Sequence, residues 1–266
     1  MDTYEIRYLV SAPYLRGTGI EIGAGMSPQR LPEGSICEYF DKRSASELSA
    51  LFGVSEKQIE INVHPIASFW SRFPEGVDFV IAHHVLEHCS NPLAALIEWQ
   101  SYLKNEGTLV ISVPEAKRCP DARRLIPPID HLLQDYIFNR GDDSFESREH
   151  IYSFVMGWID RGFAEGKEKL EIAQITHQCA KAPKNDLHWH AFDKNLFMEV
   201  ISSSSRISGN KMEIRAVAGP DDSEFPTELD LICVCTVYPG KMKDRLRKKI
   251  SEARETMAEL LTTLRN

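Results

Sequence analysis

The end of a predicted strand over residues 19–23 runs into Glu21-Ile22-Gly23-Ala24-Gly25-Met26-Ser27. Glycines at 23 and 25 permit a sharp turn and let a ligand approach the main chain closely. A dinucleotide fingerprint would need a third glycine at 28, where Pro28 stands. A pyrophosphate favours a glycine-rich turn feeding a helix N-terminus. A nucleoside that carries a cation in place of phosphates lacks that requirement, and an acidic residue such as Glu21 favours it, directly or through water. Asp41 closes the next predicted strand, 20 residues after Glu21. A carboxylate there can accept from both hydroxyls of a ribose. Its plainer account is a strand-end turn residue, followed by Lys42-Arg43-Ser44.

Histidines form the second constellation. His84-Val85-Leu86-Glu87-His88 satisfies the H-x-x-E-H spacing of a zinc protease motif. The context argues against that reading, because the residues follow a buried strand directly and precede Asn91-Pro92, leaving barely a turn of helix. In open α/β sheets ligands sit beyond the carboxyl ends of the strands, so His83, His84 and His88 fall where a reacting group would lie. Histidine can take a proton near neutral pH; His84 is the first candidate for a general base and His88 the second. The plainer account is a pocket histidine bonded to backbone. Asp130-His131 and His188-Trp189-His190 are further polar clusters suited to a sugar-like substrate, or to local capping and packing. No metal is assigned: a site shared by His188, His190 and Asp130 has no single-segment spacing behind it.

These groups need a frame. Apolar runs near 19–23, 35–40, 59–63, 78–82 and 107–113 alternate with helices near 44–52 and 91–104, the pattern of a parallel sheet covered on both faces. An opening helix near 3–14 covers the sheet edge. Asn91 and Pro92 mark a helix start. Residues from about 115 to 186 read as a helical substrate cover inserted into the domain. A helix near 193–203 and strands near 211–218 and 229–237 follow. Their short connection predicts an antiparallel hairpin. The fold class is therefore α/β, a Rossmann-like parallel sheet with a C-terminal antiparallel hairpin, helices on both faces and a helical insertion. One domain spans 1–239. In the tail, 240–266, Leu246, Ile250, Ala253, Met257, Leu260 and Leu264 form a heptad seam. It suits either a single amphipathic helix or a homodimer or larger assembly through residues 241–264.

Bulk composition narrows the classes. The 266 residues carry a net charge of −8, which disfavours a chain built for nucleic acid. No run approaches the roughly 18 apolar residues of a membrane helix. Six cysteines without paired spacing suggest a reduced, cytoplasmic protein. Cys233 and Cys235 alternate along a strand and read as core.

The runs GIEIGAG, EYFDKRS, VDFVIAHHVLEHCSNPLAALIEWQSYLKNEGTLVISVPEAKR and IDHLLQDY resemble class I S-adenosylmethionine-dependent methyltransferases. Within that family the chain is most similar to the bacterial type found beside glycosyltransferases for surface polysaccharides. The resemblance covers about residues 5–140, and DLHWHAFDKNLF (186–197) extends it. It implies S-adenosylmethionine as cofactor. Glu21, Gly23, Ala24 and Gly25 would hold its amino acid and ribose end, and Asp41 its ribose hydroxyls. Adenine would lie near Val63–Ile66, bringing in His64, with His83 under the methionine portion. Many relatives have an acidic residue near 64–67, where this chain has His64-Pro65-Ile66-Ala67. The expected function is methyl transfer to a hydroxyl of a sugar, glycan or related small polar acceptor. A non-catalytic methyltransferase-like binding module is the alternative. A nicotinamide-dependent oxidoreductase is disfavoured by Pro28 and by the lack of a Tyr-x-x-x-Lys pair.

Overall fold

A computed structural model describes residues 2–55, 63–142, 144, 147–158, 171, 173–175, 177–178 and 187–240. The heptad tail lies outside the described residues, as does much of the expected cover.

Seven strands form one sheet in the order β3-β2-β1-β4-β5-β7-β6. They are β1 (Thr18–Ile22), β2 (Ile36–Asp41), β3 (Val63–Pro65), β4 (Val77–His83), β5 (Leu103–Pro114), β6 (Lys211–Ala218) and β7 (Asp230–Tyr238). The first five pair in parallel, whereas β7 runs antiparallel to both β5 and β6. The Rossmann-like sheet and its C-terminal hairpin are thus as the sequence predicts. Chain order reverses between β1 and β4, so their carboxyl ends flank a crevice, the usual ligand position in such sheets.

The helices described are α1 (Thr3–Ser11), α2 (Ala45–Phe52), the single turn α3 (Phe69–Arg72), α4 (Pro92–Tyr102), α5 (Ile129–Ile137), α6 (Ser147–Trp158) and α7 (Lys194–Ser208). The α2 start is a capping box: the Glu47 amide donates to Ser44 Oγ, and the Ser44 amide donates to the Glu47 carboxylate. Asn91 caps α4 by accepting from the Ala94 amide, with Pro92 at the first helical position.

Two boundaries differ from the sequence expectation. The opening helix ends at Ser11 and passes into a 3-10 turn, Ala12–Tyr14, because Pro13 cannot donate the next helical hydrogen bond. α4 stops at Tyr102, and β5 begins at Leu103. The apolar Leu103 suits either element, so periodicity alone overruns the junction. Of the strand predicted near 59–63, only Val63 lies among the described residues, where it opens β3 and the strand runs on to Pro65.

Strand alternation sorts the core. Ile20, Ile22, Val80 and Ala82 pack on the α4–α7 side, while Phe79, Ile81 and Val110 pack on the α1 side. Glu21 and His83, at odd register to the first set, therefore project toward the α1 face. Both are buried.

Candidate active site

The crevice begins with the turn after β1. Gly23 and Gly25 have φ of 68° and 57°, a left-handed backbone that a side chain disfavours. A Cβ at Gly23 would also stand 2.7 Å from Val85 Cγ2, so the glycine turn abuts the segment that follows β4. The Gly23 amide donates to the Phe40 carbonyl at 2.8 Å, fixing the turn to the end of β2. Glu21 is 1% exposed and accepts from the Gln29 amide at 2.9 Å. Burial pushes its carboxyl up to about 7, against the opposing effects of that hydrogen bond and of Arg7. Asp41, at the end of β2, is buried and accepts from the Arg43 amide through Oδ1 at 2.9 Å. His64 lies apart from these groups: it packs on Phe40 and its Nε2 is 3.5 Å from Glu38 Oε2.

β4 delivers the histidines. His83 Nδ1 pairs with Ser112 Oγ at 2.8 Å, and its buried Nε2 has no hydrogen-bond partner among the described residues. Burial, then Arg7, holds this ring neutral, well below the usual histidine range. His84 sits at φ 53°, outside any helix, and only Leu86–His88 forms a short 3-10 turn. The H-x-x-E-H residues thus share no α-helical face. The left-handed backbone turns His84 toward Asp230, the first residue of β7, with Nε2 2.9 Å from Oδ1. Arg7 from α1 meets the other carboxylate oxygen at 2.6 Å. Asp230 is fully buried, and its pairing with His84 and Arg7 outweighs burial to hold the carboxyl low. Glu87 is buried with neither carboxylate oxygen hydrogen-bonded among the described residues, and burial pushes its carboxyl up. Its Oε1 lies 3.9 Å from His84 Nδ1.

The third group joins the 3-10 turn to the segment before α7. His88 Nδ1 faces the Leu187 carbonyl at 3.1 Å, and the ring stands edge-on to His188. Burial and His188 push His88 down to about 4. His188 Nδ1 contacts Asp121 at 2.6 Å, and Asp121 is also paired with Arg124 at 2.9 Å. His190 is fully enclosed, with Nε2 3.1 Å from Asp135 Oδ2. Asp130, expected beside these histidines, is exposed in the first turn of α5. Asp135 takes its place, because His131 and Asp135 are four residues apart on one helix face. Asp135, Asp121, Asp230, Arg7 and His150, which pair with these histidines or with one another, were not singled out from the sequence. The one signal available was the i,i+4 spacing of His131 and Asp135.

The family model described as a methyltransferase domain matches residues 13–155, more than half of the chain. The chain belongs to this methyltransferase family. The methyltransferase is accordingly dependent on S-adenosylmethionine. No curated protein matches it. Among solved structures it is similar to the CurJ carbon methyltransferase, at 14% identity and a TM-score of 0.40 over 85% of this chain and 50% of that one. It is also similar to an O-methyltransferase family protein from Burkholderia thailandensis, at 10% identity and a TM-score of 0.39 over 89% and 55%. A Listeria monocytogenes protein described as an S-adenosylmethionine dependent methyltransferase is similar at 11% identity, with a TM-score of 0.43 over 88% and 96%. The methyltransferase spans only about half the length of the first two. Among the described residues, no helix is long and apolar enough to cross a membrane.

Proposed function

We propose that the methyltransferase moves a methyl group to a hydroxyl of a sugar or related small polar acceptor, with His84 as general base. The observation that carries this reading is the pairing of His84 Nε2 with buried Asp230, directly beyond β4 and one residue before Val85, which abuts the glycine turn.

The residues present fit the cofactor. The turn at Gly23 and Gly25 has no place for a side chain at Gly23, as close approach of a ligand to main chain requires. Glu21, Gly23, Ala24 and Gly25 would hold the amino acid end, whose positive charge suits a buried carboxylate. Asp41 keeps Oδ2 for the ribose while Oδ1 braces its own turn. His83 would line the methionine portion. His64, drawn to Glu38, would contribute at most its backbone to adenine. Bound S-adenosylmethionine supplies an electrophilic methyl group.

What the chain adds is a proton acceptor and its orientation. With Nε2–H donating to Asp230, His84 presents the Nδ1 lone pair. Glu87 at 3.9 Å is too distant to occupy that atom. Nδ1 takes the hydroxyl proton as the oxygen attacks, and Asp230 stabilises the imidazolium that forms. Arg7 keeps Asp230 ionised. His88 is the second candidate, but its Nδ1 is committed to Leu187 and its ring to His188. The sugar acceptor rests on the sequence resemblance and on the mixture of aromatic and carboxylate side chains in the segment after β5, such as the exposed Tyr152 and Asp130.

Isothermal titration with S-adenosylhomocysteine, with NAD as control, tests the cofactor site. Transfer of labelled methyl to a panel of sugars then tests the acceptor. Cofactor binding with methylation confined to nitrogen or carbon acceptors would overturn the hydroxyl reading. Binding of neither ligand would support the non-catalytic module.

A further inference from the structure

Apart from the His84–Asp230 pair, three elements bring four metal-ligating side chains together. α5 supplies His131 and Asp135, α6 supplies His150, and the segment leading into α7 supplies His190. Their ligand atoms all lie within 4.8 Å of one another. Each Nε2 points at one atom, Asp135 Oδ2, at 3.1 Å from His190 and 3.6 Å from both His131 and His150. Ligands at about 2.0–2.1 Å from a tetrahedral zinc stand about 3.3 Å apart, within the spread of these edges. The ring centroids are 4.5, 4.9 and 5.7 Å apart with interplanar angles of 60–69°. Imidazoles radiating from one tetrahedral ion would be spaced by about 5 Å.

Hydrogen bonding makes the same point from another side. His150 Nδ1 lies 3.1 Å from the Trp189 carbonyl, which can only accept. Nδ1 therefore carries a proton, which leaves Nε2 as the ring atom that faces Asp135 Oδ2. A backbone carbonyl holding the far nitrogen of a histidine is also the usual orienting contact of a metal ligand. Asp135 is prepared similarly. Arg140 occupies its Oδ1 at 3.1 Å, leaving Oδ2 for a single bond.

We propose that His131, Asp135, His150 and His190 form a structural zinc site that staples α5, α6 and the 187–190 segment together. Four protein ligands leave no open position, so the ion holds the fold rather than the substrate. The nearby group of Glu87, His88 and His188 offers three ligands, and His188 Nδ1 is already engaged by Asp121.

The test is metal analysis of the purified full-length protein, with X-ray absorption at the zinc edge. The expected result is one zinc per chain, taken up again by chelator-stripped protein, with a nitrogen and oxygen shell that includes imidazoles. Thermal melting should show a fall of several degrees on stripping and recovery with zinc. His131→Gln, at the least buried ligand, should lose the ion at a chelator concentration that leaves the parent loaded. Absence of zinc both before and after reconstitution would overturn the site. So would a sulfur-containing shell, which would point to Cys119, or a His131→Gln variant that keeps zinc as tightly as the parent.

Discussion

His84 Nε2 lies 2.9 Å from Asp230 Oδ1, linking the end of the fourth strand to the start of the last. Replacing either residue should lower the methyl-transfer rate, but the two differ in stability. His84→Asn leaves the Asp230–Arg7 pair in place, so the melting temperature should barely move. kcat should fall about 10²- to 10⁴-fold with the KM for cofactor unchanged. Asp230→Asn should lower kcat with the same split and also strand the buried Arg7 charge, costing about 3–5 kcal/mol. Steady-state kinetics beside thermal melts of both variants check this. A His84→Asn enzyme with parental kcat would remove the base assignment.

Gly23 has no tolerance for a side chain. Gly23→Val would place a β-branched residue at φ 68° and drive its Cβ into Val85. The left-handed backbone alone costs about 1–2 kcal/mol. Circular dichroism should show a folded protein whose affinity for S-adenosylhomocysteine has fallen more than about 100-fold, a loss of at least 2.7 kcal/mol. Parental affinity in this variant would displace the cofactor from the turn.

Glu21 should make cofactor binding pH-dependent. Its buried carboxyl is pushed up to about 7, so it is largely neutral at pH 6 and ionised at pH 8. A ligand carrying a positive amino group prefers the ionised form, so affinity should rise with pH across this interval. The sign for stability is opposite: the raised value favours folding below about 4.5, and that contribution is lost as pH rises through 7. Titrations at pH 6, 7 and 8 should show the affinity trend, and Glu21→Gln should flatten it.

His88 contributes an acid sensitivity. Burial, and then His188, holds it neutral down to about 4, whereas an unfolded histidine titrates near 6.5. The unfolded chain therefore binds the extra proton first. Stability is intact above 6.5 and is lost as pH falls toward 4, by about 3 kcal/mol at most from this residue. Denaturant melts of the parent and His88→Gln between pH 7 and 4.5 should diverge, with the variant the less acid-sensitive.

The sheet was readable because its strands are short apolar runs punctuated by glycine and by capping residues such as Ser44 and Asn91. The connection between residues 218 and 230 is too short for a parallel crossover, so the hairpin followed from length alone. The glycine turn and Asp41 were readable because local backbone demands leave local marks. The partners of the histidines were not. Asp230 is 146 residues from His84, and Asp121 is 67 from His188. Pairings over such distances are set by sheet order and packing, which no window of sequence contains. Asp130 stood out over Asp135 because it adjoins His131 in sequence, whereas helix geometry favours the residue four positions away.

The antiparallel strand β7 lies between β5 and β6, although both of its neighbours precede it in the chain. During synthesis the first five strands can assemble with the glycine turn already formed, while β5 waits with an unpaired edge. Such an edge is a template for pairing with other chains. The arrival of β7 covers it and brings Asp230 to His84 in the same event. A nascent chain therefore acquires the proposed proton acceptor's partner only when its most aggregation-prone edge is sealed, so methyl transfer would report that the whole sheet has closed.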